Sequence, residues 1–374
     1  MQRRQFVQSA VATGVTAPWV SPAAPARPNF LFLIADDLTH RSLQTLNNPE
    51  VETPNLNRLV RRGCTFTHCF HQGSWSPAVC IASRTMLNSG LTAFRAERRI
   101  EQTPLWGETL GAAGYHTAIV GKWHLSGATL KRSFREIVKV SGGMFPSTDA
   151  AYNRPSPGNT WTPWDESLKG QWLETHDWQP GATENIKHSA RIWAEDASAF
   201  LLKRKLQSDP FFLYVGFNSP HDPRQAPKEF VDRYVPDRIA IPPNYAPEHP
   251  FDQGDKRIRD ELLAPFPRTR EAVRLHRSEY YAHITYMDAQ IGRILDALEE
   301  SGRASDTYVI LAADHGLAVG EHGLMGKQNI YDHSIRMPLI VGGPGIPAGR
   351  RVDELVYQHS LFATTCELAG VAVP

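Results

Sequence analysis

Cysteine is scarce in this chain. Four residues in 374, Cys64, Cys69, Cys80 and Cys366, make neither a zinc-type spacing nor a dense disulfide framework. Cys64 and Cys69 are close enough in sequence to pair, but both fall near what reads as a strand edge, where disulfide geometry is demanding. An excess of one charge is also lacking. The 40 Lys and Arg against 39 Asp and Glu leave a net charge of +1, which gives no basis for nucleic acid or membrane-surface binding. No apolar run is long enough to span a bilayer, and no repeat, heptad or low-complexity tract is present. What is there is 41% hydrophobic and 21% charged, an ordinary globular composition. The length suits one large α/β domain with part of a second.

Residues 1–26, "MQRRQFVQSAVATGVTAPWVSPAAPA", do not read as fold. Paired Arg3 and Arg4, then Phe6, a short Ala/Val stretch and Ala24-Pro25-Ala26 resemble a twin-arginine export signal with a small-residue cleavage site. The expected mature domain is therefore 27–374, working in the periplasm or outside the cell. That route carries folded cargo, so chemistry on a side chain can be complete before export.

"NFLFLIADD" is a continuous apolar run ending in two aspartates, the signature of a strand buried on both faces. In "TPNLNRLVRRG", Thr53 can cap a helix, Pro54 suits its first position, Leu56, Leu59 and Val60 share a face, and Gly63 can end it. "TPLWGETLGAAGYHTAIVGKWH" repeats the design, with a helix opened by Thr103 and Pro104, closed at Gly114, and a strand over His116 to Val120. Ser126 to Gly181 is rich in Gly, Pro, Ser and Trp and reads as long loops. A helix over Asn185 to Lys205 leads into the buried strand of "PFFLYVGFNSPHDP", and Pro236 to Pro267 is another Pro-rich excursion. The period of Ile284, Met287, Ile291, Leu295 and Leu298 predicts a long helix from Glu271 to Ser301. "TYVILAADHG" is one more buried strand, and a last helix spans Ser360 to Ala369. The fold class is α/β, a large mostly parallel sheet with helices on both faces.

Several strands deliver polar residues just past their C-terminal ends: Asp36-Asp37, Lys122 with His124, His221, and Asp314-His315. That edge is where open parallel sheets bind ligands. An Asp after a strand is often only a turn or cap residue. Two such pairs at equivalent ends point instead to a divalent cation, and oxygen-rich ligation favours calcium or magnesium over zinc. Arg84, Lys122, His124, His221 and Lys327 add cations suited to a compact oxyanion, sulfate or phosphate. "GKWH" and "SPHDP" also admit plain turn readings. Cys80, one helical turn before Arg84 at the start of a helical run, is the nucleophile candidate, although a thiolate matches a hard metal poorly.

Together these segments resemble the formylglycine-dependent (type I) sulfatases of the alkaline-phosphatase-like superfamily. The matching stretches are "NFLFLIADDL", "TPNLNRLVRRGCTFTHCF", "CIASRTMLNSG", "GYHTAIVGKWHL", "FNSPHDP" and "ADHGLAVGEHGLMGKQNIYDHSIRMPLIVGGPGIP", in the family's order from about Asn29 to Pro374. The resemblance implies that a maturation enzyme oxidises Cys80 to formylglycine. A hydroxyl of the hydrated aldehyde then attacks sulfur, and the second hydroxyl later expels sulfate. It also implies calcium ligation by Asp36, Asp37, Asp314 and His315 with residue 80. Arg84 and Lys122 would steady the modified residue, and His124 would take the release proton. His221 and Lys327 would grip the sulfate and assist the leaving alcohol as acid, and Lys122 would also bind the substrate. His315, where many members have Asn, resembles the branch of iduronate and choline sulfatases.

Two features depart from the pattern. Ala82 stands where the maturation signal carries proline, and Ile81 where a small residue is common. The chain stops at "LAGVAVP", about where the family's C-terminal subdomain would begin, so that subdomain is expected to be largely absent and apolar surface to be exposed at the seam. Trp161, Trp164, Trp172 and Trp178 could stack on sugar rings or anchor a long loop. The expected function is hydrolysis of a sulfate ester on a sulfated carbohydrate. The rivals are a phosphodiesterase or phosphonate monoester hydrolase of the same superfamily, and a non-catalytic sulfoglycan-binding protein with Cys80 unmodified.

Overall fold

The computed structural model describes residues 27–143, 188–224, 226–252, 254, 258–264 and 266–374. The export-signal reading of 1–26 and the four tryptophans at 161, 164, 172 and 178 lie outside them.

Among the described residues eight strands form one sheet: β1 (Asn29–Ala35), β2 (Cys64–Phe70), β3 (His116–Lys122), β4 (Glu136–Ser141), β5 (Phe211–Gly216), β6 (Thr307–Ala313), β7 (Arg336–Gly342) and β8 (Arg350–Tyr357). Their order is β4-β3-β5-β1-β6-β7-β2-β8. β1 pairs in parallel with β5 and β6, β3 with β4 and β5, and β2 with β8; β7 alone is antiparallel to both its neighbours. Every residue of β1 and of β5 is buried, so both faces of the sheet are covered at its centre. This is why those strands read as unbroken apolar runs rather than alternating ones.

Eight helices longer than one turn accompany the sheet among the described residues: α1 (Pro54–Arg62), α2 (Val79–Ser89), α3 (Ala93–Arg99), α4 (Trp106–Ala112), α5 (Gly127–Ser133), α6 (Ser189–Lys203), α7 (Arg270–Glu300) and α8 (Ser360–Leu368). The predicted stripe on α7, Ile284 to Leu298, is buried. Three local expectations are corrected. The Thr53 side chain does not cap α1; its hydroxyl accepts from the Gln44 N–H at 3.0 Å. The cap comes from Asp288 on α7, which accepts from the N–H groups of Asn55 at 3.1 Å and Leu56 at 2.7 Å, so one helix end is satisfied by another helix. α4 starts at Trp106, after Thr103 and Pro104, with Leu105 before it. The stretch from Ser126 is not all loop. Ser126 caps α5 by accepting from Thr129 N–H, and β4 follows at the sheet edge, mostly unburied. An edge strand needs no apolar run, which is why the sequence hid it. All four cysteines are buried and free, including Cys64 and Cys69. At the other sheet edge, Leu355 and Tyr357 on β8 are exposed.

Gly121 and Gly216 face each other where β3 and β5 end. A Cβ on Gly121, whose φ is +92°, would lie 2.0 Å from the Gly216 carbonyl oxygen. The close approach sets the path of the chain into Lys122. Gly121→Ala is expected to destabilise the fold by roughly 2–4 kcal/mol, from left-handed strain and overpacking together, measured as a lower urea midpoint. A wild-type midpoint would remove this constraint.

His40 is held neutral in the fold, its pKa pushed down to about 4 first by burial and then by Arg336 and Arg41. Burial likewise holds His283 on α7 well below its ordinary value. The unfolded chain therefore binds more protons than the folded one between about pH 4 and 6.5, and stability falls as pH drops through that window. His40 alone contributes about 1–2 kcal/mol of this loss between pH 7 and pH 5. Urea titrations at the two pH values measure it, and His40→Gln should show a shallower drop than wild type.

Candidate active site

The C-terminal ends of the parallel strands meet at one edge. β1 runs straight into Asp36 and Asp37, both fully buried. Asp37 is left-handed, with φ 70°. Its N–H donates to Asp314 Oδ1 at 3.3 Å and its carbonyl accepts from the Tyr280 hydroxyl at 2.6 Å. β6 brings Asp314 and His315 alongside, and Asp314 N–H donates to the Ala35 carbonyl at 3.1 Å. β3 ends in Lys122, and the segment after β5 turns back to place His221. The chain leaving β2 leads into α2, with Cys80 in its first turn and Arg84 one turn on. Lys327 comes from the segment between β6 and β7.

These side chains form one contact network. Cys80 Sγ lies 3.1 Å from His315 Nε2 and 3.7 Å from Lys327 Nζ. Lys327 Nζ donates to Asp37 Oδ1 at 2.8 Å and Oδ2 at 3.1 Å. His315 Nε2 is 3.2 Å from Asp37 Oδ1, and His221 Nε2 is 3.9 Å from Asp37 Oδ2. Arg84 Nε pairs with Asp314 Oδ2 at 3.0 Å, both fully buried, and its Nη1 donates to the Lys122 carbonyl at 2.9 Å. Lys122 Nζ is bonded to Asp36 Oδ2.

Burial raises every carboxyl here, and the cations decide which one escapes. Asp314 is held well below the usual range because His315 and Arg84 outweigh burial. Asp36 is also lowered, with Lys122 opposing burial and the repulsion of Asp314. Asp37 is not rescued: burial pushes it up to about 8 despite Lys327 and His315. His315, opposed by burial, is raised to about 10 by Asp314, Cys80 and Asp37. The protein's own cations thus leave the three carboxyls short of positive charge.

A divalent ion fits that deficit. One ligand atom each of Asp36, Cys80, Asp314 and His315 lies within 4.8 Å of the others, and Asp37, Cys80 and His221 form a second such set. Asp36 Oδ1 is buried with no hydrogen-bond partner, an acceptor awaiting a cation. His315 Nδ1 faces the Gly316 carbonyl at 3.0 Å, which turns Nε2 toward Cys80 and the carboxylates, where a cation would displace the Nε2 proton and take its lone pair. Carboxylate-rich ligation suits calcium.

Of the ten residues singled out from sequence, nine join this network directly. His124 stands at its rim, half-buried, left-handed at φ 63°, and Nδ1 has no hydrogen-bond partner. Burial, then Lys122 and Arg84, lower it to about 3. Lys122 and Arg84 are fully buried beneath the site. Arg84 Nη2 is buried without a hydrogen-bond partner. Residues the sequence did not flag support the first contacts. Asp222 sits 3.4 Å from His221 Nδ1 and is held by Arg259. Asp260 lies 3.9 Å from Lys327 Nζ and accepts from Gln328 Nε2 at 2.8 Å. Arg259 and Asp260 fall in the Pro-rich excursion, where no periodicity marks them; Asp222 was in view within "SPHDP".

The sequence profile of the family described as Sulfatase matches residues 28–371. The chain belongs to the sulfatase family and is a sulfuric ester hydrolase. It is 30% identical to an iduronate 2-sulfatase of Mus musculus, over 92% of this chain and 70% of that protein. It is 28% identical to a choline-sulfatase of Rhizobium meliloti, over 93% and 68%. In structure it is similar to a phosphonate monoester hydrolase from Silicibacter pomeroyi, with a TM-score of 0.74 at 23% identity, over 93% of this chain and 74% of that one. This last likeness is one of fold, and agrees with the mostly parallel α/β sheet expected from the sequence.

Arg84→Met should destabilise the metal-stripped protein by about 3–5 kcal/mol, because it removes the guanidinium paired with Asp314 and leaves that buried, charged carboxylate only its His315 contact. Denaturation in the presence of a chelator measures this. A loss below about 1 kcal/mol, the scale of an exposed ion pair, would show that the pair does not hold the site together.

Proposed function

We propose that this sulfatase hydrolyses a sulfate ester on a sulfated carbohydrate, using formylglycine made from Cys80 and a calcium ion held by Asp36, Asp37, Asp314 and His315. The observation that carries the reading is the position of Cys80. Its sulfur belongs to both potential metal-ligand sets and lies beside His315 and Lys327. Conversion of the thiol to an aldehyde hydrate supplies a hard oxygen nucleophile and a way to release sulfate, which a thiol does not offer. The calcium ion supplies charge neutralisation at the carboxylates.

The chain's own residues supply binding and proton handling. Arg84 keeps an unused buried N–H donor, which can bond an oxygen on residue 80 or on the bound sulfate. Lys122 steadies the site from beneath through Asp36 and contributes positive charge to the sulfate pocket. Lys327 and His221 grip sulfate oxygens from the Asp37 side and assist departure of the alcohol. His221 Nδ1 is tied to the Asp222 carbonyl at 2.7 Å, which turns Nε2 to the substrate, where it donates to a sulfate oxygen or to the alcohol once the bound anion has charged the ring. His124, neutral at the rim, takes the proton in the release step. The carbohydrate preference is supported by the name of the Mus musculus relative, which refers to iduronate, a sugar acid. The protein is exported through residues 1–26 after a maturation enzyme has acted on Cys80. No described helix is long and apolar enough to cross a membrane.

Mass spectrometry of the peptide holding Cys80, from protein made in its native host, should show a mass about 18 Da below cysteine, off the ordinary thiol oxidation ladder. An unmodified thiol with no turnover would favour a sulfoglycan-binding protein. Cys80→Ser should abolish hydrolysis of an aryl sulfate while preserving the fold, unless the host also oxidises serine. A preference for an aryl phosphodiester over an aryl sulfate would assign the main activity to the phosphodiesterase alternative.

A further inference from the structure

A second group of ligand-type side chains lies outside the site described above. Glu321, His322 and His333 each place one ligand atom within 4.8 Å of the others. Glu321 and His322 sit in a single helical turn after β6, and His333 in a single turn just before β7. None is used by the reaction as derived.

The hydrogen bonding here is incomplete. His333 is 1% exposed, yet neither ring nitrogen has a hydrogen-bond partner. Its Nδ1 points at Glu321 Oε2 from 3.8 Å, too far for a hydrogen bond and close to the span of two ligands sharing one ion. Asn244 Nδ2 lies between the other two groups, donating to Glu321 Oε2 at 3.0 Å and contacting His322 Nε2 at 2.9 Å. Its N–H groups fill the position between carboxylate and imidazole that a cation would take. Asn244 Oδ1 is buried without a partner, and turning the amide about its last torsion would direct that oxygen to the same point. Arg41 approaches Glu321 Oε2 at 3.5 Å, but its side chain is 48% exposed and can withdraw into water. Tyr331 stacks on the His322 ring at 4.2 Å between centroids, fixing its plane.

We propose that Glu321, His322 and His333 form a second cation site, of the zinc class, that braces the loop carrying Lys327. Two imidazoles and one carboxylate suit a borderline ion such as Zn²⁺ or Co²⁺, where the first site suits a hard one. Asn244 Oδ1 or water completes four-coordination. Lys327 lies between His322 and His333 in sequence, and the Ser334 hydroxyl bonds the Lys327 carbonyl. An ion joining the two histidines closes this loop and holds the Lys327 ammonium against Asp37. Lys327 thereby gains a positioning device independent of the first metal.

The test is Co²⁺ titration of the full chain in excess Ca²⁺, followed by visible d–d absorption. Wild type should take up one equivalent in a four-coordinate environment. Glu321→Gln and His322→Ala should weaken that uptake by at least about tenfold, the lower range for losses even of outer metal-site contacts. Asp314→Asn should retain it. Equal uptake by wild type, Glu321→Gln and His322→Ala would mean a hydrogen-bonded histidine cluster only, as would no uptake by wild type. X-ray absorption of Co²⁺-loaded wild type distinguishes the two sites. Nitrogen and oxygen neighbours with scattering from two imidazoles are expected; a single imidazole, as His315 alone would give, or a sulfur neighbour from unmodified Cys80 would place the ion at the first site and overturn the proposal.

Discussion

Asp36, Asp37 and Asp314 stand together with no exposure to water, and the structure around them is organised by their repulsion. Each carboxylate has a cation assigned to it. Lys122 answers Asp36, Arg84 answers Asp314, and Lys327 answers Asp37. The assignment is incomplete, because Asp37 still favours its proton to about pH 8. A site that can bind an anion while holding three acids must import positive charge, and the unpartnered Asp36 oxygen is where the import is felt.

The sheet makes that convergence possible. Five adjacent parallel strands, β4-β3-β5-β1-β6, release their chains on the same side, so acids from β1 and β6 and a lysine from β3 meet without long excursions. β7 then reverses direction. Because it is antiparallel to β6, the segment between them both leaves and re-enters at this edge. That return path delivers Lys327 with two anchored flanks, in place of a free loop.

Much of this was legible in the residues. The strands at the sheet centre announced themselves as unbroken apolar runs because both their faces are covered. The acids and basic groups appeared at strand ends, where parallel sheets put their ligands. What stayed hidden had physical reasons. β4 is an edge strand with little to bury, so no pattern marks it. The α1 cap is carried by Asp288, more than 200 positions away in the chain, and no local motif can announce a cap from another helix. Thr53 looked right for that role and is employed elsewhere. Asp260, which lies beside Lys327, sits in a Pro-rich stretch where no periodicity marks it, whereas Asp222 stood in view beside His221. The four loop tryptophans and the amino-terminal segment are outside the described residues, and sequence remains their only reading.

The partners at this edge are remote along the chain. Cys80 and His315 are 235 positions apart, Asp37 and Asp314 are 277, and Lys327 and Asp37 are 290. Closing loops of that size costs entropy before any contact compensates it. Such a topology has high contact order and folds slowly. Until β6 docks beside β1, the three carboxyls remain hydrated and do not repel. The charge cluster is therefore created by that long-range pairing, and the acids that make the site useful oppose the step that brings them together.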